Sequence, residues 1–265
     1  MTIQYPFYTP YQYAGNTPIM AIDLEGLQPE TMIDKQGKLT TPMVSLLNSA
    51  FLMSKTSLQN ATWQKYDANR KTKAWASMVG IPSSTAASVM GTTVVHDGST
   101  TRDDGNWLRL IAHEQVHESH IESQGNFTFY SNYLIEGAST PNESIITERI
   151  AYQYGSAPNG TDYANQLLKF QGGVVMNTLN NSNLSEQTKA TQLEAVGAKF
   201  RRDVLIPDHV NQLSGLIEQS NFMLAFDKSL SGTARTLLQQ SIGGMQKQIE
   251  AYNAEQTQIT KKYGN

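Results

Sequence analysis

The chain has 265 residues, 16% of them charged, a formal net charge of −3 and no cysteine. A chain of this length can bury a substantial core; its weak acidic balance and lack of a long basic run argue against nucleic acid as principal partner, and the missing cysteines exclude disulfides and thiolate metal sites. No apolar stretch approaches the roughly 20 residues that span a bilayer, and no basic region followed by an apolar run opens the chain, so the expectation is a soluble chain with no signal peptide of its own.

Residues 1–28 read as an extended, aromatic-rich arm punctuated by prolines and glycines. From about Pro42 to Thr56, apolar residues at three- and four-residue spacing (Met43, Leu46, Leu47, Ala50, Phe51) predict a helix. Asn60 to Tyr66 reads as a short strand and Lys71 to Val79 as a helix that Gly80 and Pro82 stop. Thr92 to His96 is rich in β-branched residues and bounded by Gly91 and Asp97-Gly98, which predicts a strand whose exposed edge can pair with an extended peptide. His96 reads as a half-exposed histidine beside a turn. The loop from Asp97 to Gly105 has acidic residues, but its spacing matches no EF-hand.

The next segment, Trp107-Leu-Arg-Leu-Ile-Ala-His113-Glu114-Gln115-Val116-His117, sets an H-E-x-x-H pattern within an apolar helical repeat, with Asn106 or Asp104 as candidate cap. At about 3.6 residues per turn, His113 and His117 stand one turn apart on one face, where both imidazoles reach a single metal ion. Glu114, beside the first ligand, is placed to take a proton from water at the metal. A catalytic zinc site needs a third protein ligand. His120 lies roughly 10 Å along the helix from His113, too far to share one ion, and reads as an outer or solvent-facing group. The longer metzincin pattern fails, since its glycine and third-histidine positions hold His120 and Ser123. Glu136, Glu143 and Glu148 all follow at workable separations.

Between them, Phe127 to Ile135 carries aromatics at helical intervals that read mainly as core, with Tyr130 or Tyr133 as candidate donors to a developing oxyanion. Asn142 or Ser144 can cap the helix bearing Glu148. Beyond Gly160 the pattern is helical: Asp162 caps Tyr163 to Phe170, Ser185 caps a run to about Arg202, and Pro207 starts another helix. From Gly232 to Tyr263, Leu237, Leu238, Ile242, Met245, Ile249 and Tyr252 mark one face to be buried against neighbours, interrupted at Gly243-Gly244. His209, beside Asp208, is a distant candidate for transition-state stabilisation.

Two stretches carry a family resemblance. Glu148-Arg-Ile-Ala151-Tyr152 resembles the E-x-x-A-[DY] element that carries the third ligand in several glutamate-type zincin families, and the small Ala151 would let its helix pack close to the first. Glu143, in Asn142-Glu143-Ser144, is the second choice, similar to the N-E-x-x-S-D element of thermolysin-like enzymes but without its aspartate. The run from Ile111 through Gly125, Phe129, Tyr130 and Tyr133 to Tyr152 is similar to zincins carried on bacterial Rhs/YD-repeat polymorphic toxins. The segment Tyr8 to Leu27, with Tyr11, Tyr13, Asn16, Pro18, Asp23 and Gly26, resembles the close of Rhs-associated cores, although Asp23-Leu24-Glu25-Gly26 departs from their usual D-P-x-G.

The resemblance implies an α+β, predominantly α-helical fold. An Rhs-core-like arm (1–28) precedes a zincin-like metallopeptidase core with a small β-sheet (29–160), and a helical accessory region (161–265) packs on that core. It implies Zn2+ held by His113, His117 and Glu148, Glu114 as catalytic base, and a protein or peptide substrate. It also implies an immunity protein and the parent Rhs shell as partners, with secretion or delivery into a target cell as part of a larger toxin. Two other readings carry different expectations: a protease that processes its own parent polypeptide, and a non-catalytic binding module that keeps a metal only for stability.

Overall fold

The same apolar spacing that marks residues 43–51 in the sequence produces the first helix of the computed structural model, which describes residues 30–65, 87–90, 92–96, 103–125, 128–129, 146–157 and 159–264. Helix α1 (Thr41–Phe51) buries Met43, Leu46, Leu47 and Ala50 completely. It ends earlier than the pattern to Thr56 predicts, because Leu52 turns left-handed (φ 55°) and the Asn48 side chain donates to the Met53 carbonyl. A second short helix, α2 (Lys55–Asn60), restarts under a Ser54 cap.

Three strands follow: β1 (Thr62–Lys65), β2 (Ala87–Met90) and β3 (Thr93–His96), in the spatial order β1-β3-β2. Strand β3 runs parallel to β1 and antiparallel to β2, with Val94 opposite Trp63 and Val89. This corrects the expectation of an exposed β3 edge: both edges are taken by neighbours, and the strand lying beside the next helix is β2. The expectation for His96 is corrected with it. A central strand has both edges paired, and His96 is 2% exposed, packed against the rings of Trp63 and Trp107.

Helix α3 (Asp104–Gln124) carries the H-E-x-x-H segment. Its cap is Asp103 rather than Asp104 or Asn106; the Asp103 carboxylate accepts the Asn106 N–H at 2.7 Å. Helix α4 (Ile146–Tyr154) packs on α3 through the fully buried Ala151. Asp162 caps α5 (Tyr163–Asn180) as expected, and this helix runs past Phe170 through a kink at Gln171.

Ser185 caps α6 (Glu186–Phe200). Here α1 and α6 cross so closely that a Cβ on Gly197 would fall 2.1 Å from Ser49 Oγ and 2.9 Å from the Leu46 carbonyl oxygen. Pro207 lies in the first turn of the next helix, as expected. The rod continues through a π-turn at Arg201–Leu205 into α7 (Ile206–Phe226), with the Ile206 N–H bonded to the Arg201 carbonyl. The wide turn falls where Pro207 has no N–H to give and its ring crowds the preceding turn.

The last helix, α8 (Gly232–Tyr263), is uninterrupted at Gly243-Gly244 and pairs mainly with α7. Its expected apolar face is shielded in part, mainly by α7: Ile242 is buried, Leu238, Met245, Ile249 and Tyr252 are half-buried, and Leu237 is 60% exposed. A single apolar cluster draws on residues from Met32 to Leu205, so α7 and α8 stand outside it apart from their root. Among the described residues the fold is therefore predominantly helical with one small mixed sheet, and no helix is long and apolar enough to cross a membrane.

Candidate metal centre

Helix α3 turns Trp107, Leu108, Ile111 and Ala112 into the core, and this packing fixes the rotation that sets His113 and His117 toward α4. The two rings lie edge to face with centroids 5.0 Å apart, and His113, Glu114 and His117 are 6%, 4% and 5% exposed. Across from them, Glu148 occupies the first turn of α4, where the helix dipole favours a carboxylate. Ala151, one turn further on, carries no bulk to hold the helices apart. Glu148 Oε2 reaches 3.4 Å from His113 Nε2, and Oε1 reaches 3.4 Å from His117 Nε2. Ligand atoms of the three residues lie within 4.8 Å of one another, and the group can hold a metal ion.

The proton positions follow from the neighbours. His113 Nδ1 stands 3.2 Å from the Gly155 carbonyl oxygen, which can only accept, so Nδ1 carries the hydrogen and the neutral ring presents its Nε2 lone pair to Glu148. Lone pair and carboxylate at that range repel unless a positive charge sits between them. The electrostatics agree. Burial opposes both charges, yet the hydrogen bonds from His113 and His117 hold the Glu148 carboxyl well below the usual range, and the Glu148 bond with the Glu114 and Glu148 charges raises His113. In the ion-free chain a proton fills the place a metal would take.

Glu114 sits 4.0 Å from His113 Nε2, and burial pushes its carboxyl up against the opposing pull of His113 and His117. The sequence-expected group of His113, Glu114, His117 and Glu148 is thus brought together. Tyr130, Tyr133, Glu136, Glu143 and the caps Asn142 and Ser144 lie outside the described residues. Phe129 is buried against His117, as the core reading of the aromatics expects. His120 stays partly exposed beyond Phe129 with its pKa lowered by burial and by His117. His209 is half-buried elsewhere, its ring between Tyr163 and Tyr252 and its Nδ1 3.2 Å from the Tyr252 hydroxyl.

Sequence reasoning missed the groups around His113. The Tyr152 ring lies 4.7 Å from the His113 ring, one turn after Glu148. Gly155 approaches α3 so closely that a Cβ would sit 1.9 Å from the Arg109 carbonyl oxygen and 2.9 Å from the His113 nitrogen. The Tyr154-Gly155 step is visible in the sequence as a helix stop, but nothing local says whose imidazole its carbonyl meets.

No family model matches the chain, and the searches of curated proteins and of solved structures return no match either.

Proposed function

We propose that the chain is a zinc-dependent metallopeptidase that serves as the toxin domain of a bacterial Rhs-type protein and hydrolyses peptide bonds in a protein of the target cell. One observation carries the reading: two imidazole nitrogens one helical turn apart converge at 3.4 Å on the oxygens of Glu148, with the buried Glu114 beside them. Bonds of about 2.0–2.1 Å at tetrahedral angles put ligand atoms about 3.4 Å apart, which fits zinc. A two-nitrogen, one-oxygen donor set also suits zinc better than calcium or magnesium, which take oxygen. A zinc ion held there supplies Lewis-acid polarisation of a carbonyl and a lowered pKa for the water beside it.

The chain's own residues do the rest. Glu114, its carboxyl raised by burial, accepts the proton that the attacking water gives up and returns it to the leaving amine. His113 is fixed by Gly155 to offer Nε2 and keep Nδ1 protonated. Among the described residues the outer edge of β2, beside α3, carries no further strand, and it is the edge offered to an extended substrate. The motif at Tyr8 to Leu27 supports the Rhs setting, in which an immunity protein and the parent shell are the partners and delivery is into a target cell.

The test is metal analysis of the purified protein with a comparison of wild type and Glu114→Gln. Zinc at one equivalent in both proteins is expected, with peptide hydrolysis and toxicity lowered about 10²–10⁴-fold in the variant. Equal toxicity of the two zinc-loaded proteins would assign the metal to stability in a binding module.

A further inference from the structure

Arg109 stands one turn before His113 on α3. Its Nε and Nη2 both donate to Asp162 Oδ2, at 3.1 and 2.8 Å, and Nη2 also donates to the Ala157 carbonyl at 2.8 Å. The Asp162 side chain is wholly buried, and its Oδ1 accepts the Asn165 N–H that caps α5. The connection between α4 and α5 is therefore fastened to α3 at two points beyond Gly155, the residue whose carbonyl meets His113 Nδ1. That bond, at 3.2 Å, is at the long end of the hydrogen-bond range, so a small retreat of the connection breaks it.

We propose that Arg109 and Asp162 are a positioning pair: their fork holds the Gly155 carbonyl on His113 Nδ1, so that the hydrogen stays on Nδ1 and Nε2 is the nitrogen left for an ion. A planar guanidinium giving two bonds from fixed positions sets a distance and an angle that a lysine ammonium does not. His117 supplies the contrast, because its Nδ1 is buried with no hydrogen-bond partner among the described residues and no link to the fork. The consequence for affinity rests on the metal-centre reading; the contact of Nδ1 with Gly155 belongs to the ion-free chain.

The experiment records ring ¹⁵N–¹H spectra and hydrogen exchange of the full chain labelled at histidine, first ion-free and then through a zinc titration. Wild type is expected to show a His113 Nδ1–H signal protected from exchange. In Arg109→Lys, with unchanged far-ultraviolet circular dichroism, that signal exchanges about tenfold faster or more, His117 does not change, and the zinc Kd rises about tenfold or more. Asp162→Asn keeps an oxygen for the α5 cap and serves as the second variant, with the same expectation. A folded variant of either kind with wild-type His113 Nδ1–H exchange and Kd overturns the proposal, as does an equal change at both histidines, which marks general loosening. Faster exchange at His113 in a chain that binds no zinc leaves the pair standing and removes the metal reading.

Discussion

Glu118 follows His117 directly, is 3% exposed, and its Oε1 has no hydrogen-bond partner among the described residues. Burial, reinforced by Glu122 and only partly offset by Lys38, pushes its carboxyl up to about 8 from an ordinary 4.5. The folded value lies above the unfolded one, so the neutral form is the one the fold accepts. Its contribution to stability is fully present below about pH 4.5 and is lost as pH rises through about 8. Glu118→Gln is expected to match wild type near pH 4 and to exceed it by on the order of 2–4 kcal/mol at pH 9, read from urea denaturation. Superimposable pH profiles would mean an ionised, solvated Glu118. At this scale the ligands are legible because a four-residue spacing is itself geometry: His113 and His117 must share a face. Gly155 and Asp162 are not legible, since they meet α3 from 42 and 53 residues away in sequence with no periodic signal linking them.

Among the elements, periodicity foretells helices better than it foretells neighbours. The repeat in residues 43–51 gives α1, and Asp162, Ser185 and Gly232 mark helix starts within a residue. The strand at Thr93–His96 is equally plain, but strand order depends on which partners reach it, and the buried His96 shows how a central place changes a residue's surroundings. Pro207 marks the start of α7 to within a residue, but not the wide turn that joins α7 to α6 without a break. The α1–α6 crossing depends on Gly197. Gly197→Ala places a methyl carbon against Ser49 Oγ and the Leu46 carbonyl, and a destabilisation of about 1–3 kcal/mol is expected by thermal or urea unfolding. An unchanged midpoint would show that the helices separate freely there.

For the molecule as a whole, the division between a shared apolar cluster and the α7–α8 pair matters most. The root of the pair is fastened: Arg201 forks onto Glu255 at 2.6 and 2.8 Å, the Gln256 side chain donates to the Arg202 carbonyl, and Lys262 and Tyr263 both meet Glu194. Further out, Leu216, Phe222, Met223, Phe226 and Leu237 are exposed. A double replacement, Phe222→Ser with Phe226→Ser, is therefore expected to alter folding stability by no more than about 1 kcal/mol, against 3–5 kcal/mol for each buried aromatic truncated. The two rings lie 4.7 Å apart, and a large loss in the melting temperature would mean that a further surface covers them. The fastening at one end only has a kinetic side. Opening of the far half of the pair exposes little apolar surface, so backbone amides from about 212 to 245 should trade hydrogen for deuterium well before those of α1, α3 and α6, while the stretch after residue 250 lags behind, like a zipper closed from its anchored end.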